Sequence, residues 1–416
     1  MKLVLAFVFL LLCITQIKIS KVRAFLFLLL SLSCFSNLVI SDDIPFENFG
    51  SLLTLFLLVG FFCVLIFCLF PRVKIKVDYS EITTGRVNLS KVLVALCAPM
   101  VLVNLYILYQ SYLFILSGDI SMTAFKNDGH SSTLISSLFP SFLTPIIRIV
   151  SLMGWFCLVI LIINILQRKY LVSLLAFIGS FNIPLMGLIA FSRSGIVYYL
   201  FSVLILWFTF EKYMDKNFAL KVKKVFSVFF VLITILFLYI TYERFSDYDH
   251  WWVYSQSGSN VNIVIFSIIY YFTSWVDNTI ILMNELSPPV LGKFNGYFSL
   301  FYYILSVFGV EVESKGDIWQ EYFDEYSTLF VGLFLDTLFD MGIFGLLYFI
   351  VILMLFRIML KKIGLYFSTY LLLTIFISQY FALFFAGNIF SYFFFSVALI
   401  VSLITIKICR TRYFRI

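Results

Sequence analysis

Residues 170–210 read YLVSLLAFIGSFNIPLMGLIAFSRSGIVYYLFSVLILWFTF, and Arg193 is the only charged residue in these 41 positions. One straight helix of that length would reach about 60 Å, twice the hydrocarbon thickness of a bilayer. The stretch therefore reads as two crossings joined by a turn. Polar residues and a chain-breaking glycine gather at Ser192, Arg193, Ser194 and Gly195, so the turn belongs there. That puts Arg193 at a membrane surface.

The rest of the chain fits this reading. Its 416 residues are 62% hydrophobic and 12% charged, against about 25% charged in soluble globular proteins. Mean hydropathy is +1.05. The fold class is all-α, a polytopic membrane protein. The 52 Phe and 25 Tyr suit lipid-facing helices and interfacial belts. Net charge is +7, but the bases sit in short loops between apolar runs, which argues against a nucleic-acid partner. The seven cysteines include no C-x-x-C and read as small buried hydrophobes, not as disulfides or a metal site. The opening MKLVLAFVFLLLCITQIKIS resembles a signal peptide but has no small-x-small cleavage site. It reads as a retained membrane segment.

Apolar runs occur at about 3–17, 24–40, 49–70, 92–116, 145–166, 170–190, 195–210, 225–242, 331–356, 364–386 and 389–406. The expectation is about eleven transmembrane helices, within a range of 10–13. Residues 1–242 would form an N-terminal bundle of about eight spans, 243–330 a long outer loop, and 331–416 about three further spans. Alternate loops hold 22 of the 29 Lys and Arg, among them Arg23, Arg168, Lys169, Lys216 and Arg357. The opposite side holds Lys2, Lys126, Arg148, Arg193, Arg244, Lys293 and Lys315, with 18 of the 22 acids. The base-rich side is cytoplasmic by the positive-inside rule. The C-terminus is then inside, the N-terminus outside, and the turn at Arg193 faces outward.

Residues 243–330 also fall on the outer side. They contain two apolar stretches, 261–276 and 297–310, each short for a span at about 20 residues. If both crossed, Asp277, Glu285 and Lys293 would form a cytoplasmic loop poor in base. Interfacial or re-entrant helices are the expectation for both.

Arg193 has two readings. It is an arginine snorkelling to water or lipid phosphate, or a fixed guanidinium that clamps a phosphate or pyrophosphate. Ser192, Ser194 and Gly195 flank it, and the free N–H groups at a helix start can add to an anion site. Arg244, Asp247, Asp249, His250, Trp251 and Trp252 lie within nine residues on the same side. They form either an interfacial belt or a sugar platform with an acid or base beside a phosphate-binding arginine. Asp247 and Asp249 also match D-x-D. Asp336 and Asp340 share a helix face at i, i+4, and a carboxylate inside a membrane is a functional candidate by default. Its alternative is a buried hydrogen bond between helices. Gly342 and Gly345 read as close-packing positions, and Pro184 as a kink in its span. Arg148, at the outer start of a span, is a further basic candidate.

An outward Ser-Arg-Ser-Gly turn, a long late outer loop, and the GLFLDTLFDMGIFGLL that opens the next span resemble the bacterial O-antigen polymerases of the Wzy type. The layout resemblance covers most of the chain. The motif resemblance covers Phe191–Gly195 and, loosely, Gly332–Gly345. Some members carry Arg-x10-Gly in outer loops, whereas residue 204 here is Leu.

The resemblance implies a glycosyltransferase in the bacterial inner membrane. Its donor and acceptor would both be polyprenyl-pyrophosphate-linked oligosaccharide, with the bilayer as surrounding and room for a chain-length regulator as partner. No cofactor, nucleotide or metal is implied. Arg193 and Arg244 would stabilise the leaving pyrophosphate, and Arg148 would help bind it. His250, Asp247 or Asp340 would take the proton of the attacking hydroxyl. Trp251 and Trp252 would stack on sugar faces. The rivals are an O-antigen ligase, a flippase for the same lipid-linked units, and an ion-coupled transporter using Asp340 and a discontinuous helix near Asn182.

Overall fold

The computed structural model describes residues 1–41, 49–70, 75–76, 89–118, 125, 130–140, 142–192, 194–214, 216–246, 261–285, 305–306, 308–310, 332–363, 365–366 and 371–375, with single positions up to 404. Its helices are α1 (Lys2–Ile17), α2 (Lys21–Asn37), α3 (Phe49–Leu69), α4 (Leu89–Gly118), α5 (His130–Leu138), α6 (Leu143–Leu152), α7 (Gly154–Leu166), α8 (Tyr170–Ser180), α9 (Asn182–Ile189), α10 (Ser194–Phe210), α11 (Lys216–Ser246), α12 (Ile263–Glu285) and α13 (Gly332–Ile363). Among the described residues the only strands are two-residue pieces, Ile75–Lys76 and Leu365–Tyr366, paired in parallel.

Five segments are long and apolar enough to cross a membrane: Val94–Ser117, Leu143–Leu166, Tyr170–Ile189, Lys216–Tyr242 and Ile263–Ile280. Shorter apolar helices cover Lys2–Ile17, Leu53–Leu69, Gly195–Phe210 and Leu346–Leu355. The chain is thus of helical membrane-protein type. Most of the two last apolar runs of the sequence lies outside the described residues.

The helices group into two compact units that interleave along the chain. One comprises Met1–Lys74, Phe245–Gly364 and Leu383–Phe393; the other comprises Ile75–Arg244, Leu365–Ala382 and Phe394–Ile416.

In the first unit, α1 and α2 form a hairpin whose turn is capped by Ser20, its Oγ accepting from the Arg23 N–H. The Ser31 hydroxyl donates to the Ala6 carbonyl across the hairpin, and Phe9 stacks on Phe27. The α3 helix runs antiparallel to α2, with Phe67 against Phe27 and the Phe70 carbonyl beside Arg23. Arg23 is itself buried. Its Nε and Nη2 donate to the Phe70 carbonyl at 2.9 and 2.7 Å, and its guanidinium lies over the Phe67 ring. It is therefore a cation capping a helix C-terminus, not the loop charge that its sequence position implies. Arg357 of α13 hydrogen-bonds Cys68 at this same end of α3. Two bases assigned to one side by sequence thus meet at one end of one unit.

Residues 261–276 form part of a longer helix than their apolar run suggests. They belong to α12, 23 residues long without interruption, packed on α2, α3 and α13. It runs parallel to α2: Ser33 meets Phe272 and Trp275, and Asn37 meets Thr273 and Asp277. Asp277, whose charge ends the apolar run in the sequence, is neutralised inside the unit by Lys2, so the helix continues through it. Most of 297–310 lies outside the described residues. Its end is a helix-terminating turn with Gly309 at φ 81, where Val310 N–H donates to the Leu305 carbonyl.

In α13, Gly342 has φ 67 and ψ 175 and breaks the helix. That backbone region is essentially glycine-only. Gly342 is needed for its conformation.

In the second unit, residues 143–166 and 170–189 are each broken in mid-run, at Met153 and Phe181. Pro184 occupies the first turn of α9, where its missing N–H costs nothing. The break lies within the turn before the proline, where Pro184 has no N–H for the Ser180 carbonyl, as a proline kink requires. Glycines permit the close approach of α7 and α8. A Cβ on Gly154 would sit 3.2 Å from the Gly179 carbonyl, and one on Gly179 would sit 3.0 Å from Cys157 Sγ. The six described cysteines are all free thiols.

Candidate functional site

The turn at Arg193 is built by the end of α9. Ser192 N–H donates to the Gly187 carbonyl and Phe191 N–H to the Leu188 carbonyl, at 2.9 and 2.8 Å. This is the Schellman pattern, which needs a left-handed residue at the position after the cap. Phe191 takes it, with φ 47. The turn between α7 and α8 uses the same pattern with Arg168 at φ 59. Glycine normally fills such positions, since a Cβ there costs roughly 1–2 kcal/mol.

Phe191 is buried, and its ring meets Phe125 edge-on at 5.5 Å. Phe125 touches Phe114 of α4 at 5.7 Å and His130 of α5 at 6.0 Å. Beneath these rings Ile107, Ile135, Ile147 and Ile189 form one cluster from α4, α5, α6 and α9. Arg148, half-buried, follows Ile147. The turn, His130 and Arg148 therefore lie at one end of this unit.

The next tier is polar and fully buried. Asn104 Nδ2 donates to Ser151 Oγ and Asn182 Oδ1, at 3.0 and 2.8 Å. Asn182 Nδ2 donates to the Cys97 and Gly179 carbonyls at 2.7 and 2.9 Å. Ser180 Oγ and the Tyr199 hydroxyl are 2.8 Å apart. Asn182 stands at the break between α8 and α9 and ties both helices to α4, which holds the incoming arm of the turn.

Gly195 does not present an open backbone. It is buried against Gly187, and a Cβ on it would lie 3.0 Å from Gly187 Cα and from the Ile183 carbonyl. Its backbone faces α9, so its glycine identity serves packing, and the anion-site reading is left to other atoms of the turn.

The remaining candidates distribute as follows. Arg193 lies outside the described residues, between Ser192, which is half-buried, and Ser194, which starts α10. The side chain of Ser194 is outside them too. Arg244 is in the last turn of α11, with its side chain outside the described residues. Asp247, His250, Trp251 and Trp252 are outside them entirely. Asp340 belongs to the other unit, half-buried on α13 just before the Gly342 break. Asp336, one turn earlier, is 2% exposed. Among the described residues no group of three His, Cys, Asp or Glu could hold a metal ion.

Three features escaped the sequence reading. Phe125 and His130 carry no sequence signal that pairs them with the turn. Lys2 looked like a loop charge, yet it is 0% exposed and ion-paired with Asp277, whose side chain is 18% exposed. Lys2 Nζ also donates to Ser41 Oγ at 2.9 Å, and Asn37 Nδ2 to Asp277 Oδ2 at 2.9 Å. The available signal was that Lys2 and Asp277 fall on the same base-poor side.

Comparison with protein-family models, with curated proteins and with solved structures found no match to this chain.

Proposed function

We propose that this protein polymerises lipid-linked oligosaccharide repeat units on the outer face of a bacterial inner membrane, as a Wzy-type glycosyltransferase. The observation that carries the reading is the turn at Arg193. The one charged residue of a 41-residue apolar stretch directly follows, in sequence, the ring-anchored turn that ends at Ser192, in the same unit as Arg148. A cation that follows a well-held turn near a membrane surface suits a diphosphate, because stabilising charge helps most when its position is set in advance.

In the reaction, the hydroxyl of the incoming lipid-linked unit attacks the anomeric carbon of the growing chain. The new C–O bond forms as the bond to the polyprenyl pyrophosphate breaks. The hydroxyl proton passes to a base, for which His250, Asp247 and Asp340 are the candidates. The pyrophosphate leaves as an anion and needs no strong acid. Arg193 and Arg244 hold its developing charge, and losing one such donor typically costs about 3 kcal/mol. Trp251 and Trp252 offer stacking faces for sugars. The chain crosses about eleven times with its C-terminus in the cytoplasm.

The test is a surface-polysaccharide gel from a deletion strain complemented with Arg193→Ala. The expected result is normal membrane abundance with a single capped repeat unit and no ladder. A normal ladder removes Arg193 from the site. The uncomplemented deletion also separates the rivals: bare core with accumulated lipid-linked polymer would make the protein a ligase, and bare core without external polymer a flippase.

A further inference from the structure

Phenylalanine is a poor choice at position 191 on backbone grounds, since the left-handed conformation there favours glycine. Its ring supplies the compensating reason. Phe191 meets Phe125 edge-on, and Phe125, 0% exposed, is flanked by Phe114 and His130. Those two residues stand on α4 and α5, which the isoleucine cluster joins to α9 only as far as Ile189. The ring chain therefore fastens the turn to helices that do not form it. Arg193 follows Phe191 by two residues in the sequence, so the turn that Phe191 completes leads directly into it.

We infer that Phe125 is a positioning residue: through its contact with Phe191 it holds the Arg193 turn where the lipid diphosphate is bound. The inference rests on the polymerase reading, and it assigns a part in the reaction to a residue that touches no substrate. A misplacement of about 1 Å in a reacting group can lower turnover on the order of 10²-fold, which sets the expected scale.

The experiment measures polymerisation of lipid-linked repeat units in membrane vesicles for Phe125→Ala, Phe191→Gly and the double variant, each matched for protein abundance. Phe191→Gly keeps the left-handed backbone accessible and removes only the ring. Both single variants are expected to lose turnover on the order of 10²-fold with KM little changed, and the double variant to be no worse than either. Independent losses that multiply, or wild-type turnover in Phe125→Ala, overturn the inference.

A second measurement does not depend on the activity. In a Ser192→Cys background, Phe125→Ala is expected to speed labelling of that cysteine by a charged thiol reagent added from outside. An unchanged labelling rate overturns the inference even if polymerisation is lost. Wild-type vesicles that make no polymer bring down the polymerase reading instead, and the labelling result then decides alone whether Phe125 holds the turn.

Discussion

Asp277→Asn should undo the N-terminal hairpin. The substitution keeps the shape of the side chain and removes the charge opposite Lys2. The ammonium would keep Ser41 as a hydrogen-bond acceptor but would remain fully buried without the carboxylate. Breaking a buried pair from one side typically costs about 3–5 kcal/mol, or between about 10²-fold and about 4 × 10³-fold in the docking of α1 at 1.4 kcal/mol per decade. The reverse substitution, Lys2→Met, leaves a carboxylate that is partly exposed and still receives the Asn37 amide at 2.9 Å. Its cost should be smaller. Lys2→Met combined with Asp277→Leu replaces the pair by apolar bulk, and such exchanges are often neutral or stabilising.

Thiol labelling gives the readout, because Cys13 and Cys34 lie buried on α1 and α2 and react only when the hairpin opens. In detergent, labelling should speed up on the order of 10²-fold in Asp277→Asn, less in Lys2→Met, and return towards wild type in the double variant. Labelling of Asp277→Asn at the wild-type rate would refute the argument, as would a double variant worse than Asp277→Asn alone.

Gly195→Ala should separate α9 from α10, because all the atoms its Cβ would meet, at 3.0 to 3.1 Å, are backbone. The expected loss is about 1–3 kcal/mol of stability, read as a lower melting temperature in detergent. Asn182→Leu should cost about 2–4 kcal/mol by removing the donor to the Cys97 and Gly179 carbonyls and the acceptor of Asn104. Denaturation of the purified protein measures it, and an unchanged midpoint would mean that the network contributes nothing net.

The helices were legible in the sequence wherever apolar runs stood between charges, as in residues 3–17, 49–70 and 195–210. A bilayer demands continuous apolar length, and composition reports it directly. The reversal at Arg193 was legible for the same reason, since 41 residues are too many for one crossing. The clustering of Arg23 and Arg357 at one end of a unit agrees with their shared side in the loop count. The polar residues inside the apolar runs were another matter. Asn104, Asn182 and Ser151 carry no periodic signal, and only their mutual distances show that they tie broken helices together.

The sequence by itself determined that the chain is a helical membrane protein, where its hydrophobic segments lie, and that residues 170–210 are too long for one crossing, because each of these depends on local composition along the chain. Tertiary structure alone decided that Asp277 lies within a helix and not past its end, that Lys2 is a buried partner and not a loop charge, and that Phe125 packs against Phe191. Each of those depends on which groups meet across tens or hundreds of residues: a charge ends a hydrophobic segment in one dimension and continues it in three, once an opposite charge is brought beside it.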